Sequence, residues 1–294
     1  MSNFAKKNNE SKILPIIFSR TSFNIFNYIF MTLTMLIMVL PLLKVFVDSL
    51  DVKGGYDFNL IPDSISFDAY LRIVKIKNLS RAFGVSVYTT VIGTSLALLF
   101  TTMAAFVLTK KDMPGRKFFM YMILFTMIFN GGLIPTYMVV NKIHLTDSTW
   151  AVILTLLVNP YYLILLRNFF NDISPSISES AEIDGCSPMG IFFKIILPMS
   201  KPAIAAIGLF YFVLYWNDFF HFIMYINESK LHNFQVKLRE LVLTDDTGPT
   251  SDIIVGANTL KSAVIVVSIL PIMIIYPFIQ KYFVTGLSLG AIKE

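Results

Sequence analysis

The sequence has 294 residues, 55% of them apolar and 15% charged, with a formal net charge of +5. Long apolar runs leave too little polar sequence between them to build soluble domains, so the composition excludes a soluble globular protein and points to one polytopic membrane bundle. Cys186 is the single cysteine, and His144, His221 and His232 do not pair at ligand spacing, which excludes a disulfide framework and speaks against a metal centre.

The opening MSNFAKKNNESK is polar, and no small-residue cleavage site ends the apolar run that follows it, so the first span is expected to be retained as an anchor. Crossing the hydrocarbon takes roughly 20 apolar residues. Six stretches qualify, at about 23–43, 83–108, 118–140, 150–166, 203–226 and 262–283, preceded by an N-terminal segment, 1–22. The fold class is therefore all-α membrane protein. Asn130-Gly131-Gly132 and Pro135 in the third stretch, and Asn159-Pro160 in the fourth, predict breaks in regular helix, which fit bending or close packing equally well. Between the second and third stretches, TKKDMPGRK carries four Lys/Arg, whereas NKIHLTDST, before the fourth, carries one. Positive residues in short loops favour the cytoplasm, so the first loop and both termini are placed inside, and the net charge needs no nucleic acid to explain it. The longer outer loops, 44–82 and 227–261, are expected outside.

The fourth and fifth stretches are joined by a polar-to-apolar segment, ESAEIDGCSPMGIFFKIILPMSKP. Pro175, Ser176 and Glu179 have the spacing of a capping box, which predicts a short helix with Ser176 as cap, interrupted at Gly185. Ser187-Pro188 predicts a second start, and the stripe Ile191, Phe192, Ile195, Ile196 runs until Pro198 and Pro202 bend the chain into the fifth span. This element, 176–201, fits an amphipathic helix resting at the interface as well as a docking surface for a cytoplasmic partner. Within the fifth stretch, Asp218 is a costly charge that marks either a pore or the outer end of the span. Tyr211, Tyr215, Trp216 and Asn217 beside it suit stacking on sugar rings, and they suit an interfacial aromatic belt too.

Glu179-Ser180-Ala181, then Gly185, then Ile195-x-Leu197-Pro198 resembles the EAA---G---------I-LP signature of the membrane subunits of binding-protein-dependent ABC importers. Ser180 stands where the common form has Ala. Asp184 in IDG, NGGLIPTYMVV, HLTDSTWA, FYFVLYWNDFF and GLSLGAIKE resemble the carbohydrate branch of the maltose and oligosaccharide type, in its complex-oligosaccharide subgroup, over about 61–294. The resemblance implies a type I importer permease of six spans in a bacterial cell membrane, with both termini cytoplasmic. It implies a homologous second permease, two ABC ATPase subunits that bind ATP and Mg, an extracellular sugar-binding lipoprotein, and an oligosaccharide substrate. It also gives 176–201 the part of a coupling element lying in a cleft of one ATPase. There Glu179, Ser180, Ala181 and Asp184 would meet or support the ATPase, Gly185 would allow the turn, and Ile195, Leu197 and Pro198 would pack the element on the bundle. No G-x-x-x-x-G-K-[ST] phosphate loop and no nucleophile–base pair occurs, so the chain is expected to bind no nucleotide itself and to catalyse nothing. An ion-coupled carrier would need more intramembrane ionisable groups than Asp218 and His221, and an intramembrane enzyme would need a catalytic pair.

Overall fold

The computed structural model describes residues 20–52, 59–243 and 256–291. Residues 1–19 of the expected N-terminal segment, parts of the two long loops expected outside and the last three residues of the expected tail motif lie outside the described residues. α1 (Arg20–Leu50), α3 (Lys77–Val107) and α14 (Ala257–Ala291) are long helices. At 1.5 Å per residue each exceeds the roughly 30 Å of hydrocarbon.

α1 runs seven residues past the expected end of the first span, because Lys44 and Asp48 pair one turn apart and neutralise each other on its last turns. Its end is tied down. The Ser49 hydroxyl lies 2.6 Å from the Tyr70 hydroxyl, and Thr259 Oγ1 donates to the Asp51 carbonyl at 2.8 Å. Tyr70 belongs to α2 (Asp68–Lys75), a short amphipathic helix that buries Ala69 and Ile73 against α3 and α14.

The remaining spans are bent pairs. α4 (Arg116–Ile128) and α5 (Leu133–Lys142) meet at 119°, where Gly132 takes φ +91° and its amide donates to the Asn130 side chain at 2.9 Å. The expected third span is therefore two helices folded sharply on each other. α6 (Thr149–Thr155) and α7 (Pro160–Asn171) meet at 48°, with the Asn159 side chain accepting the Tyr161 and Tyr162 amides as the cap of α7. α7 passes the expected end at residue 166 because Arg167 turns its guanidinium toward the Leu108 carbonyl rather than into lipid. A third pair, residues 188–199 and 201–216, meets at 83°; counting each bent pair as one, up to six helical spans are present by length and composition.

The expected fifth span, 203–226, divides into α11 (Lys201–Trp216) and α12 (Phe220–Tyr225), because the polar pair Asn217–Asp218 interrupts the helix. α13 (Phe234–Leu243) lies between α12 and α14 and packs on α3 and α14.

The centre of the bundle is the contact of α3 with α11, with α7 and α14 against the same pair. Small residues let the two backbones approach, as membrane helices require when lipid competes for every apolar surface. A Cβ on Gly93 would lie 2.7 Å from the Tyr215 ring, and one on Gly208 would lie 3.1 Å from Leu98, so each helix receives a large side chain at the other's glycine.

Candidate functional site

Residues 174–199 form a two-helix foot between α7 and α11. α8 (Pro175–Ile183) starts two residues earlier than the capping-box reading has it, since Pro175 takes the first helical position and Ser174 is the cap residue. Ser176 thereby falls inside the first turn, and its hydroxyl meets that of Ser174 at 2.8 Å instead of capping. The helix stops at Gly185, whose φ is +81°. Its amide donates to the Glu182 carbonyl at 3.1 Å and the Cys186 amide to the Ala181 carbonyl at 2.9 Å, the paired bonds of a Schellman turn.

Two residues on, the Ser187 hydroxyl accepts the Gly190 amide at 3.2 Å and Pro188 opens α9 (Pro188–Ile191), as the sequence predicts. A π turn over Phe192–Ile196 follows, closed by the Leu197 amide on the Phe192 carbonyl, and then α10 (Leu197–Met199). Pro198 has no amide to give and disturbs the ordinary i to i−4 ladder at this point. It does not bend the chain, however. The bend into α11 is 83° and falls after Met199, at Ser200.

The foot has two faces. Ala181, Ile191, Phe192 and Ile196 are buried in one core with Phe106 of α3, Leu166 and Phe170 of α7, and Ile207 and Tyr211 of α11. The Phe106 and Phe192 rings are 5.1 Å apart. Each fully buried large side chain there contributes about 1.5–3 kcal/mol relative to water, so the foot is fastened to three helices at once. Ile195 and Leu197 pack on the same core, and Leu197 and Pro198 line an apolar cleft of about 670 Å³ shared with α3, α11 and α14. An exposed ion pair, Lys110 Nζ to Glu182 Oε1 at 2.8 Å, adds a tether that at such exposure is worth at most about 1 kcal/mol. The other face is open: Glu179, Ser180, Asp184 and Gly185 are exposed, and Ile183 stands out at 86% exposure.

The structure brings the predicted residues of the fifth span together, but the three aromatics hold helices to one another. The Tyr211 hydroxyl lies 2.7 Å from Thr101 Oγ1 and accepts the Asn159 amide at 2.9 Å, supplying a partner at the α6–α7 break. Tyr215 donates to the Ile153 carbonyl at 2.9 Å, and Trp216 Nε1 donates to the Ser268 carbonyl at 2.8 Å. All three side chains are buried and Asn217 is exposed. Asp218 is buried, with Oδ1 at 2.8 Å from His221 Nδ1 at the start of α12, while Oδ2 is buried without a hydrogen-bond partner. The Asn233 side chain donates to the Asp218 carbonyl and accepts the Val236 amide, and the next amide, of Phe234, donates to Ser86 Oγ. Ser86 and Asn233 were not singled out in the sequence, because nothing local to Ser86 signals the Phe234 amide 148 residues on, and nothing local to Asn233 signals the Asp218 carbonyl 15 residues back.

In the loop between α5 and α6, Asp147 clasps the end of α12. Its carboxylate accepts the Asn227 amide at 2.5 Å and the Glu228 amide at 3.2 Å, while its own amide donates to the Tyr225 carbonyl at 2.9 Å. The Asn227 backbone bond, then the Asn227 side chain, holds this carboxyl below its ordinary pKa of 3.8. A depressed native pKa means that the clasp is fully made above the unfolded value and is lost as pH falls through the native one. Asp147→Ala is therefore expected to speed hydrogen exchange of the Asn227 and Glu228 amides several-fold at pH 7, an effect that vanishes once acid has protonated the carboxylate in the parent.

Bent helical spans, a packed foot with one open face and a polar break in the fifth span give the geometry of a multi-pass membrane protein. Residues 105–289 match the family model described as "Binding-protein-dependent transport system inner membrane component", and the chain belongs to that family. It is 42% identical over 280 residues to the polygalacturonan/rhamnogalacturonan transport system permease protein YtcP of Bacillus subtilis, covering 92% of this chain and 98% of that one. It is 39% identical over 279 residues to protein LplC of the same organism, covering 92% and 95%. Its fold is similar to a chain in the crystal structure of a bacterial ABC transporter involved in the import of the acidic polysaccharide alginate, with a TM-score of 0.84, 30% identity, and 90% and 99% of the two chains covered. The protein is thus a multi-pass membrane component of an ABC transport system, a transport subunit rather than an enzyme.

Proposed function

We propose that this chain is one half of the pore of an ATP-driven importer that takes in oligosaccharides delivered by an extracellular sugar-binding lipoprotein. The observation that carries the reading is the foot: Ile191 and Phe192 are buried in the bundle while Glu179 and Ile183 on the same element are open. An element built so passes displacement from a partner to the spans, since a packed body moves as a unit and a loose loop does not. Residues 176–201 are the coupling element in this reading, within a permease domain of 23–294, and both termini are cytoplasmic. Two ATPase subunits supply ATP and Mg binding, and one of them receives Glu179, Ser180, Asp184 and Gly185; Ala181, expected to stand with them, is buried in the bundle core and supports that face from behind. Ile195, Leu197 and Pro198 join the element to the bundle. The exposed apolar faces of α1 and α5 are consistent with a homologous second permease.

The oligosaccharide class is supported by the relatives' names, which speak of polygalacturonan, rhamnogalacturonan and alginate. On the translocation path Asn217 faces the solute, with Asp218 behind it, and Tyr211, Tyr215 and Trp216 fix the wall from within. The test is uptake by proteoliposomes containing the complete complex, with ATP inside and the binding protein outside. Oligosaccharides are expected to accumulate and amino acids are not. Uptake that needs no ATP, or that ignores oligosaccharides, contradicts the reading.

A further inference from the structure

Two features coincide where α3 ends. Arg116 Nε and Arg167 Nε both donate to the Leu108 carbonyl, at 2.9 and 3.2 Å. Two guanidiniums sharing one acceptor are close neighbours of like charge. Among the described residues neither forms an ion pair with a carboxylate, and Arg167 makes one further, long side-chain contact, Nη1 to Asn168 Oδ1 at 3.5 Å. The carbonyl end of a helix carries partial negative charge, which one cation offsets. The second leaves an excess that calls for an anion.

The other feature is apolar. A groove of about 340 Å³ runs between α3 and α4, lined by Phe100, Met103, Val107, Phe119 and Ile123, and it ends at Leu108. α4 buries none of its residues, so the chain itself leaves this side of the helix without apolar cover. A charged head beside an apolar trough has the division of an amphiphile.

We propose that this end of the bundle binds one anionic glycerophospholipid, its phosphate between Arg116 and Arg167 and an acyl chain in the α3–α4 groove. Guanidinium forks match phosphate oxygens two at a time, and basic pockets between helices at the bilayer surface favour anionic head groups. The acyl chain supplies α4 with the contacts its neighbours do not. The site needs only that α3 and α4 lie in the membrane, and it is independent of the substrate and of which side the loop faces.

The test uses the full chain with its associated subunits, in nanodiscs of phosphatidylglycerol or phosphatidylcholine, and counts the phospholipid retained after detergent extraction by native mass spectrometry. Retention of phosphatidylglycerol is expected to exceed that of phosphatidylcholine by about fivefold or more. Arg116→Gln with Arg167→Gln brings it down to the phosphatidylcholine level, whereas the double Lys variant keeps most of it. Ala104→Phe, which fills the groove and leaves both arginines, also lowers it, so the outcome does not hang on the folding of one variant. Equal retention of the two lipids, or retention unchanged in both the Gln and Phe variants, overturns the proposal. Displacement of the lipid by millimolar inorganic phosphate also overturns it, assigning the arginines to a free anion. A photocrosslinker at Met103 that traps a second permease instead of lipid overturns it as well, by making the groove a subunit interface. Loss of sugar uptake with lipid retention intact would touch only the function proposed above.

Discussion

Gly185→Val is expected to abolish transport and solute-stimulated ATP hydrolysis, with a drop of at least about tenfold, while the chain still inserts and assembles. The reason is confined to the backbone. Gly185 holds φ +81°, and a Cβ there would meet nothing within 4 Å, so no clash contributes. A left-handed conformation costs an L-residue about 1–2 kcal/mol, and a β-branched side chain suffers most. The cheapest escape is to unwind the Schellman turn, which frees the Glu182 and Ala181 carbonyls and lets α8 swing relative to α9. The open face of the foot is then no longer rigidly coupled to the buried one. Asn tolerates this conformation, so Gly185→Asn is expected to retain most of the activity, with Ala between. Normal uptake by the valine variant, or an asparagine variant as inactive as valine, would remove the turn from the mechanism.

Gly93→Val is the second large effect, and it acts on the bundle itself. A Cβ at this position lies 2.7 Å from Cε1 and Cζ and 2.8 Å from Cδ1 of the Tyr215 ring. Tyr215 is 1% exposed and tied to the Ile153 carbonyl, so the ring has neither space nor freedom to withdraw. Even alanine is expected to cost about 1–3 kcal/mol through overpacking, and valine to separate α3 from α11. Thermal unfolding of the purified complex measures this. Pairing Gly93→Ala with Tyr215→Ala is expected to recover part of the loss, since the two residues are in contact and their effects do not add. Additive losses would mean that the clash is relieved elsewhere.

Much of the fold was readable in the residues. Each apolar run falls on a long helix or on a pair of helices, and Asn130-Gly131-Gly132 and Asn159-Pro160 marked both of the breaks they suggested. Span ends were less legible, because a charged residue stops an apolar run in sequence but need not stop a helix. Lys44 and Asp48 cancel across one turn, and Arg167 reaches a carbonyl of another helix. At the foot, Ser187-Pro188 was legible as a local cap, whereas Ser176 lost the cap to Ser174 because proline fixes the first helical residue. The fifth-span aromatics illustrate the deeper limit. Their composition suited sugar stacking or an interfacial belt, but their hydroxyl and indole groups are used by Thr101, Asn159, Ile153 and Ser268, partners that only the assembled bundle reveals.

The π turn at Phe192–Ile196 holds one residue more than regular α winding would use. A homologue shortened by one position within this neck can revert to plain α-helix and still deliver Leu197 and everything after it on the same side. Shortening α11 by one position would instead rotate every later side chain by about 100° and carry Tyr215 away from Gly93. Length variation can therefore be absorbed at the neck of the foot, and not in the span that follows it.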